Sequence, residues 1–305
     1  MALLGELLNK IECGASNVLG TGLKGCKVFF KKTTSLWIFP AGFELDSTEE
    51  FGQTYIDQLK AEGNLIVLKG VRTFTDNSSD NSVEELEDGT KQVTKLGLYE
   101  FACKFVNGLF FHAALTSLNS FGNYDVAFVD RDGNILGTKS VNGKFKGFSI
   151  GMLQADRLEW GTDAAGQKEG IMFQLLDRAE VDTDFIFIQR SQLAYNPNKI
   201  EGVNEIKLSY PSAPAAGTSL TIKASLSDGT PFVGLPAANW GIYKNGAKDA
   251  SVSGDDSIVG GTYVLTISSV TANDVIVSEF IEGNNKVISL DDYQYKASPV
   301  SAVVV

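Results

Sequence analysis

The stretch that most constrains the fold runs from Ser82 to Thr138. It opens with a charged, strand-like ribbon, Val83–Thr94, turned at Asp88-Gly89. An apolar segment, Leu98–Leu118, follows, and then a hairpin, Tyr124–Asp130 against Asn134–Thr138, closed around Arg131-Asp132-Gly133. In the apolar segment Leu98, Phe101, Phe105, Leu109 and His112 recur at steps of three and four, which places side chains on one helical face. The spacing predicts a helix over 98–118, with Asn107-Gly108 as the point where it can break into two pieces. Such a stripe is core before it is a binding surface. The other segments read as strands that pack against this helix or extend its sheet.

Leu3, Leu4, Leu7 and Leu8 predict a short helix over 2–10, ended by the Gly-rich stretch 14–25. It reads equally as an arm docking on a neighbour or as a terminal helix covering its own core. Lys27–Phe39 is strand-rich. Asp46-Ser47-Thr48-Glu49-Glu50 predicts a helix start with Ser47 as N-cap and Glu50 completing a capping box. That helix runs to Glu62, stops at Gly63 and is followed by a strand over 64–69. Thr75–Asn81 is a polar loop. After the hairpin, 144–154, 157–160, 170–176 and 184–189 read as strands by alternation or as short apolar runs. This order predicts a mostly antiparallel α+β domain over 1–200.

Asn196–Asn204 is the expected linker, and the character of the chain changes beyond it. Strands are expected at 206–209, 219–226, 239–243, 261–270, 275–280 and 292–297, punctuated by Ser227-Asp228-Gly229, Lys244-Asn245-Gly246 and Glu282-Gly283-Asn284. That spacing predicts an immunoglobulin-like β-sandwich over 205–305, with Trp240 and Tyr263 as core aromatics. The fold class expected for the whole chain is mainly β.

Composition narrows the function. The 305 residues carry a formal net charge of −11 and a pI near 4.7, which argues against a free nucleic-acid binder needing a basic face. Cys13, Cys26 and Cys103 are odd in number and far apart, a reduced-compartment pattern. MALLG lacks a basic leader region, Glu6 interrupts the apolar run, and no segment approaches the ~18 apolar residues of a membrane helix. The expectation is a chain made in the cytoplasm, with no membrane-spanning segment.

Catalytic chemistry is poorly supplied. His112 is the only histidine and sits between Phe110-Phe111 and Ala113-Ala114, so it reads as a core or interface residue. Cys103 falls on the opposite helical face, and no Cys-x-x-Cys or His-x-x-x-His spacing exists. Glu84, Glu85, Glu87 and Asp88 cluster on the ribbon, where charges are usually solvated. Asp156 and Glu159 flank Arg157 near Trp160, either as a sugar platform or, the better reading, as a strand end with a local ion pair. Asp130-Arg131-Asp132-Gly133-Asn134 matches the start of a calcium loop, but its Gly is misplaced and the closing Glu is missing, so a hairpin turn is favoured. The glycines of 14–25 and 143–151 lack the strand-to-helix setting of a phosphate cradle. These residues predict no enzyme activity, no cofactor and no metal. The product expected is an assembly, since unpaired strand edges seek partners.

The arrangement of a sheet, a long protruding hairpin or loop (Phe74–Thr94), one helix packed on the sheet (Leu98–Leu118) and further antiparallel strands resembles bacteriophage tail tube proteins. The C-terminal residues resemble the immunoglobulin-like domains that phage virion proteins carry. The resemblance implies a homo-oligomer of hexameric rings stacked into a hollow tube, joined to other virion proteins in the tail after assembly in the host cytoplasm. DNA would pass through as transported cargo, and the immunoglobulin-like domain would decorate the outside. Glu84, Glu85, Glu87 and Asp88 would then line a ring-to-ring or lumen surface, where negative charge keeps DNA from adhering; a solvated loop explains the same acids equally well. The N-terminal domain is longer than the simplest tube proteins, which leaves a capsid or tail-terminator role open. The alternative is a carbohydrate-binding or carbohydrate-active protein with an accessory sandwich, its surface-binding aromatics being Trp160 and Trp240. A surface adhesin is a third reading.

Overall fold

A computed structural model of the chain describes residues 3–9, 29–254, 259–283, 285–290 and 293–305. The Gly-rich stretch 14–25, with Cys13 and Cys26, lies outside them. The chain is mainly β, 46% strand against 14% helix. Two compact units form, one from Met1–Ile56 and Asn64–Ile200, the other from Asp57–Gly63 and Glu201–Val305.

The first unit begins with helix α1 (Leu4–Asn9), strand β1 (Thr33–Pro40), the start of helix α2 (Gln53–Glu62), whose residues from Asp57 onward belong to the second unit, and strand β2 (Ile66–Lys69). Then come β3 (Thr73–Asp76), β4 (Ser82–Glu85), β5 (Lys91–Lys95), β6 (Glu100–Phe105) and helix α3 (Leu109–Ser117). The rest is β7 (Tyr124–Asp130), β8 (Ile135–Lys139), β9 (Phe145–Lys146), β10 (Phe148–Ala155), β11 (Glu169–Leu175), helix α4 (Ala179–Asp182) and β12 (Phe185–Ile188).

Strands β12-β8-β7-β10-β11-β6-β3 form one antiparallel path, with β1 joined to β7 and β2, and β9 joined to β8. Strand β10 carries the turn of this sheet: Phe148 and Ser149 pair with β7, and from Ile150 onward the strand pairs with β11, with an irregularity between Ile150 and Met152. A bulge there lets one strand bend between two pairing directions. The two arms enclose a core of Phe residues centred on Phe128, whose ring lies 5.6 Å from Phe101, 5.6 Å from Phe148 and 6.0 Å from Phe173. Offset and edge-on rings at these distances attract beyond simple area burial.

The single helix expected over 98–118 does not form. Its first half is β6, lying between β11 (Cys103 opposite Ile171) and β3 (Cys103 opposite Phe74). Alternation explains it: Phe101, Cys103 and Phe105 point into the core, while Glu100, Ala102 and Lys104 take the other face. Gly108, at φ +96°, then turns the chain into α3. The capping box at Ser47 and Glu50 is also absent. Asp46 instead accepts from the Thr48 amide and hydroxyl (2.9 and 2.8 Å), Glu50 bridges to Leu3, and α2 starts only at Gln53. An Asx turn competes with helix nucleation for the same donors. Leu4 and Leu7 of α1 are buried within the chain. The strand expected at 157–160 is a loop held by one bridge, Glu159 to Lys168.

The second unit carries β13 (Val203–Ser209), β14 (Gly217–Leu226), β15 (Trp240–Lys244), β16 (Ala247–Lys248), β17 (Ser253–Gly254) and β18 (Thr262–Val270). It ends with β19 (Val275–Phe280), β20 (Val287–Leu290), β21 (Tyr293–Ala297) and β22 (Val300–Val303). Two sheets, β17-β18-β14-β13-β21-β20 and β16-β15-β19-β22, share one core. At its centre the Trp240 ring meets Tyr263 at 5.1 Å and Phe280 at 5.2 Å, both edge-on. The Tyr263 hydroxyl donates to the Phe232 carbonyl at 2.9 Å, so this buried phenol is satisfied.

Candidate assembly surface

The ribbon forms where the local chemistry asks for it. Asp88 accepts from the Thr90 amide at 2.9 Å and its hydroxyl at 2.6 Å, and these bonds hold the Asp88 carboxyl below its usual range. Gly89, at φ +81°, supplies the left-handed residue the turn requires. Val83 faces Val93 and Glu85 faces Lys91 across the two strands. At the base, the Gly97 amide donates to Asn81 Oδ1 at 3.0 Å, and Asn81 in turn accepts from Arg178 Nη1 at 2.7 Å. A Cβ on Gly97 would overlap the Ser79 carbonyl, so the stem closes only around glycine there.

Among the described residues, strands β4 and β5 pair with each other and with no third strand, and every residue over 81–96 is exposed. Glu84, Glu85, Glu87 and Asp88 all lie on this ribbon, together with exposed Val83, Leu86, Val93 and Leu96. The acids are therefore clustered by one hairpin, and all four are exposed on it. The open cleft of about 410 Å³ beside the stem is lined by polar groups that pair among themselves. Arg178 binds Asp182 at 2.6 Å, and Tyr99 donates to Asp182 at 2.5 Å.

Helix α3 is the second element of the surface. Its inner side is fixed by buried Leu115 and by Phe111, whose ring meets Phe105 edge-on at 5.1 Å. Its start is held by Glu169, a buried carboxylate that accepts from the Asn107 amide at 2.9 Å and from Gln167 Nε2 at 2.9 Å. Burial alone would raise the Glu169 pKa, but these bonds and the Gly108 amide outweigh it and lower it. The outer side has no cover among the described residues. Leu109, Phe110, Ala113, Ala114 and Ser117 share one face, all exposed, with Phe110 64% open. His112 sits half-buried in this helix, and its Nδ1 has no hydrogen-bond partner among the described residues. Sequence periodicity missed this face because an all-apolar helix reads as core.

The aromatic candidates separate. Trp160 is 71% exposed on its loop. Beside it Lys104 binds Asp156 at 2.8 Å and Glu159 at 3.0 Å, so both acids are engaged in a local ion pair. Trp240, in contrast, is 2% exposed and packed between Tyr263 and Phe280; it has no face for a ligand, which corrects its reading as a surface-binding aromatic. Asp130 is buried and its carboxylate accepts from Lys31, Asp132 and Asn134 amides and from Asn134 Nδ2 (2.8–3.1 Å), which builds the hairpin turn. Cys103 is buried in the core, and burial raises its thiol pKa.

Among the described residues no group of three or more His, Cys, Asp or Glu side chains is placed to hold a metal ion. No described helix is long and apolar enough to cross a membrane. No protein-family model matches the chain, and no curated protein matches it.

Proposed function

We propose that this chain is a self-assembling structural protein, whose copies join through the β4–β5 ribbon and the outer face of α3. The observation that carries the reading is the ribbon. A two-stranded hairpin is marginal in water by itself, yet among the described residues this one leaves both outer edges and the Val83–Val93 pair open. A neighbouring copy that adds a strand or covers those valines satisfies the edge hydrogen bonds and buries the apolar pair. The apolar strip on α3 supports the same reading, because contiguous exposed apolar surface marks interaction sites.

The specific form we propose is the one implied by the resemblance to phage tail tube proteins: hexameric rings stacked into a tail tube of the virion through which DNA passes, with the C-terminal sandwich outward. The carboxylates at Glu84, Glu85, Glu87 and Asp88 suit a surface past which a polyanion must slide. Light scattering and negative-stain microscopy of the purified protein test this. Rings or tubes are the expected result, and a monomer at high concentration overturns it. The exposed Trp160 ring favours carbohydrate binding as the second reading, and a glycan-binding monomer would establish that reading instead.

A further inference from the structure

Within the second unit one lysine is taken out of water. Lys60 lies near the end of α2, in the Asp57–Gly63 segment that belongs to this unit, and its side chain is 1% exposed. Its Nζ lies 2.8 Å from Asp57 Oδ1, three residues earlier, and 3.4 Å from the Glu201 carbonyl. It also donates to Oε1 of Gln294 on β21. The Gln294 amide nitrogen donates to the same Asp57 Oδ1 at 2.8 Å. One carboxylate oxygen therefore touches both an amine and the nitrogen of an amide, and the carbonyl oxygen of that amide is held by the amine.

We propose that Lys60 and Gln294 are joined by an intramolecular isopeptide bond, with Asp57 as the catalytic proton carrier. The amine is the nucleophile, the amide carbon Cδ the electrophile and Nε2 the leaving group. Asp57 first takes one proton from the Lys60 ammonium. The neutral Nζ attacks Cδ, forming the new C–N bond and placing negative charge on Oε1. A second Nζ proton passes by way of Asp57 to Nε2, the C–Nε2 bond breaks, and ammonia leaves. The proton first held by Asp57 departs with it as ammonium, the third Nζ proton remains on the new amide, and Asp57 returns to carboxylate. Atoms and charge balance without an oxidant or any co-reactant.

Three physical points favour the reaction over a static ion pair. Burial lowers the Lys60 pKa, against the opposing pull of Asp57, so the neutral amine is easier to reach than in water. Holding amine and amide together replaces a bimolecular encounter and so supplies part of the barrier lowering that amide exchange needs. The product also replaces the ammonium, 1% exposed, by a neutral amide, while the carboxylate that loses its cation, Asp57, is the partner that still reaches solvent, at 19%. The bond would span 234 positions of the chain and, unlike a disulfide, would resist reductants.

The inference does not depend on the assembly reading, since a monomer can carry the linkage. Intact-mass measurement of the full chain is expected to show a species lighter by one ammonia, about 17 Da, the leaving group of the aminolysis. A digest is expected to give a branched peptide joining the segments around Lys60 and Gln294, with no cleavage at Lys60. Lys60→Arg and Gln294→Leu are each expected to restore the full mass. Asp57→Asn should leave most chains unlinked. An unmodified intact mass overturns the proposal. So does a loss of ammonia that maps to a succinimide at Asn107-Gly108, Asn142-Gly143 or Asn245-Gly246. Full linkage in Asp57→Asn overturns the role of Asp57.

Discussion

At the scale of single residues, stability rests on side chains whose partners are all inside the chain. Trp240 closes the sandwich core against Tyr263 and Phe280. Trp240→Ala is expected to cost about 3–5 kcal/mol in a urea titration, the range for an emptied aromatic site. Glu169 is different, because it is buried and satisfies the amide at the start of α3. Glu169→Ala leaves that donor unmade and should cost about 1–3 kcal/mol. Asp249 supplies a pH dependence. Burial would raise its pKa, but amides and hydroxyls of Ser251 and Ser268 lower it to about 2. Its folded pKa lies below the unfolded value of ~3.9, so its contribution is complete above that pH and fades as pH falls toward the folded value. The stability gap between wild type and Asp249→Ala, measured in urea, should therefore stay constant near neutrality and close on acidification.

At the scale of elements, the ribbon and α3 are separable. Gly97→Ala forces the stem away from Ser79, and an overpacking cost of about 1–3 kcal/mol is expected. Amide exchange over 82–95 should accelerate while the core strands stay protected. Phe110→Lys removes apolar surface from α3 without touching its buried side. The monomer should keep its stability within about 0.5 kcal/mol, and any assembly through this face should be lost in sedimentation. The same elements show how far local pattern reaches. The hairpins 82–95 and 124–139 were legible because Asp88, Gly89 and Gly133 bind or shape their own turns. Segment 98–118 was not legible as a whole. Phe101 and Phe105 satisfy a period of four and a period of two together, and the choice falls to the β11 and β3 pairings, made with residues far away in sequence.

At the scale of the whole molecule, assembly is the property that the open ribbon and uncovered helix face raise. Combined reversal of Glu84, Glu85, Glu87 and Asp88 to lysine is expected to leave the sandwich unit unchanged. In tubes it should alter stacking or retain DNA, seen as co-purifying nucleic acid whose binding falls steeply with salt. The carboxylates were readable as an exposed cluster. The α3 face was not, since its apolar residues carry the same signal whether they face a core or a neighbour.

The sequence by itself determined the mainly β class, the turns and the charge of the ribbon. These depend on backbone preference, alternation and bonds between residues a few positions apart. Only the tertiary structure decided that the first half of 98–118 is a strand, that Trp240 is core, and that Lys60, Asp57 and Gln294 meet. Each of those outcomes rests on contacts between segments distant in the chain. Their free energy comes from burial and pairing that no local window contains.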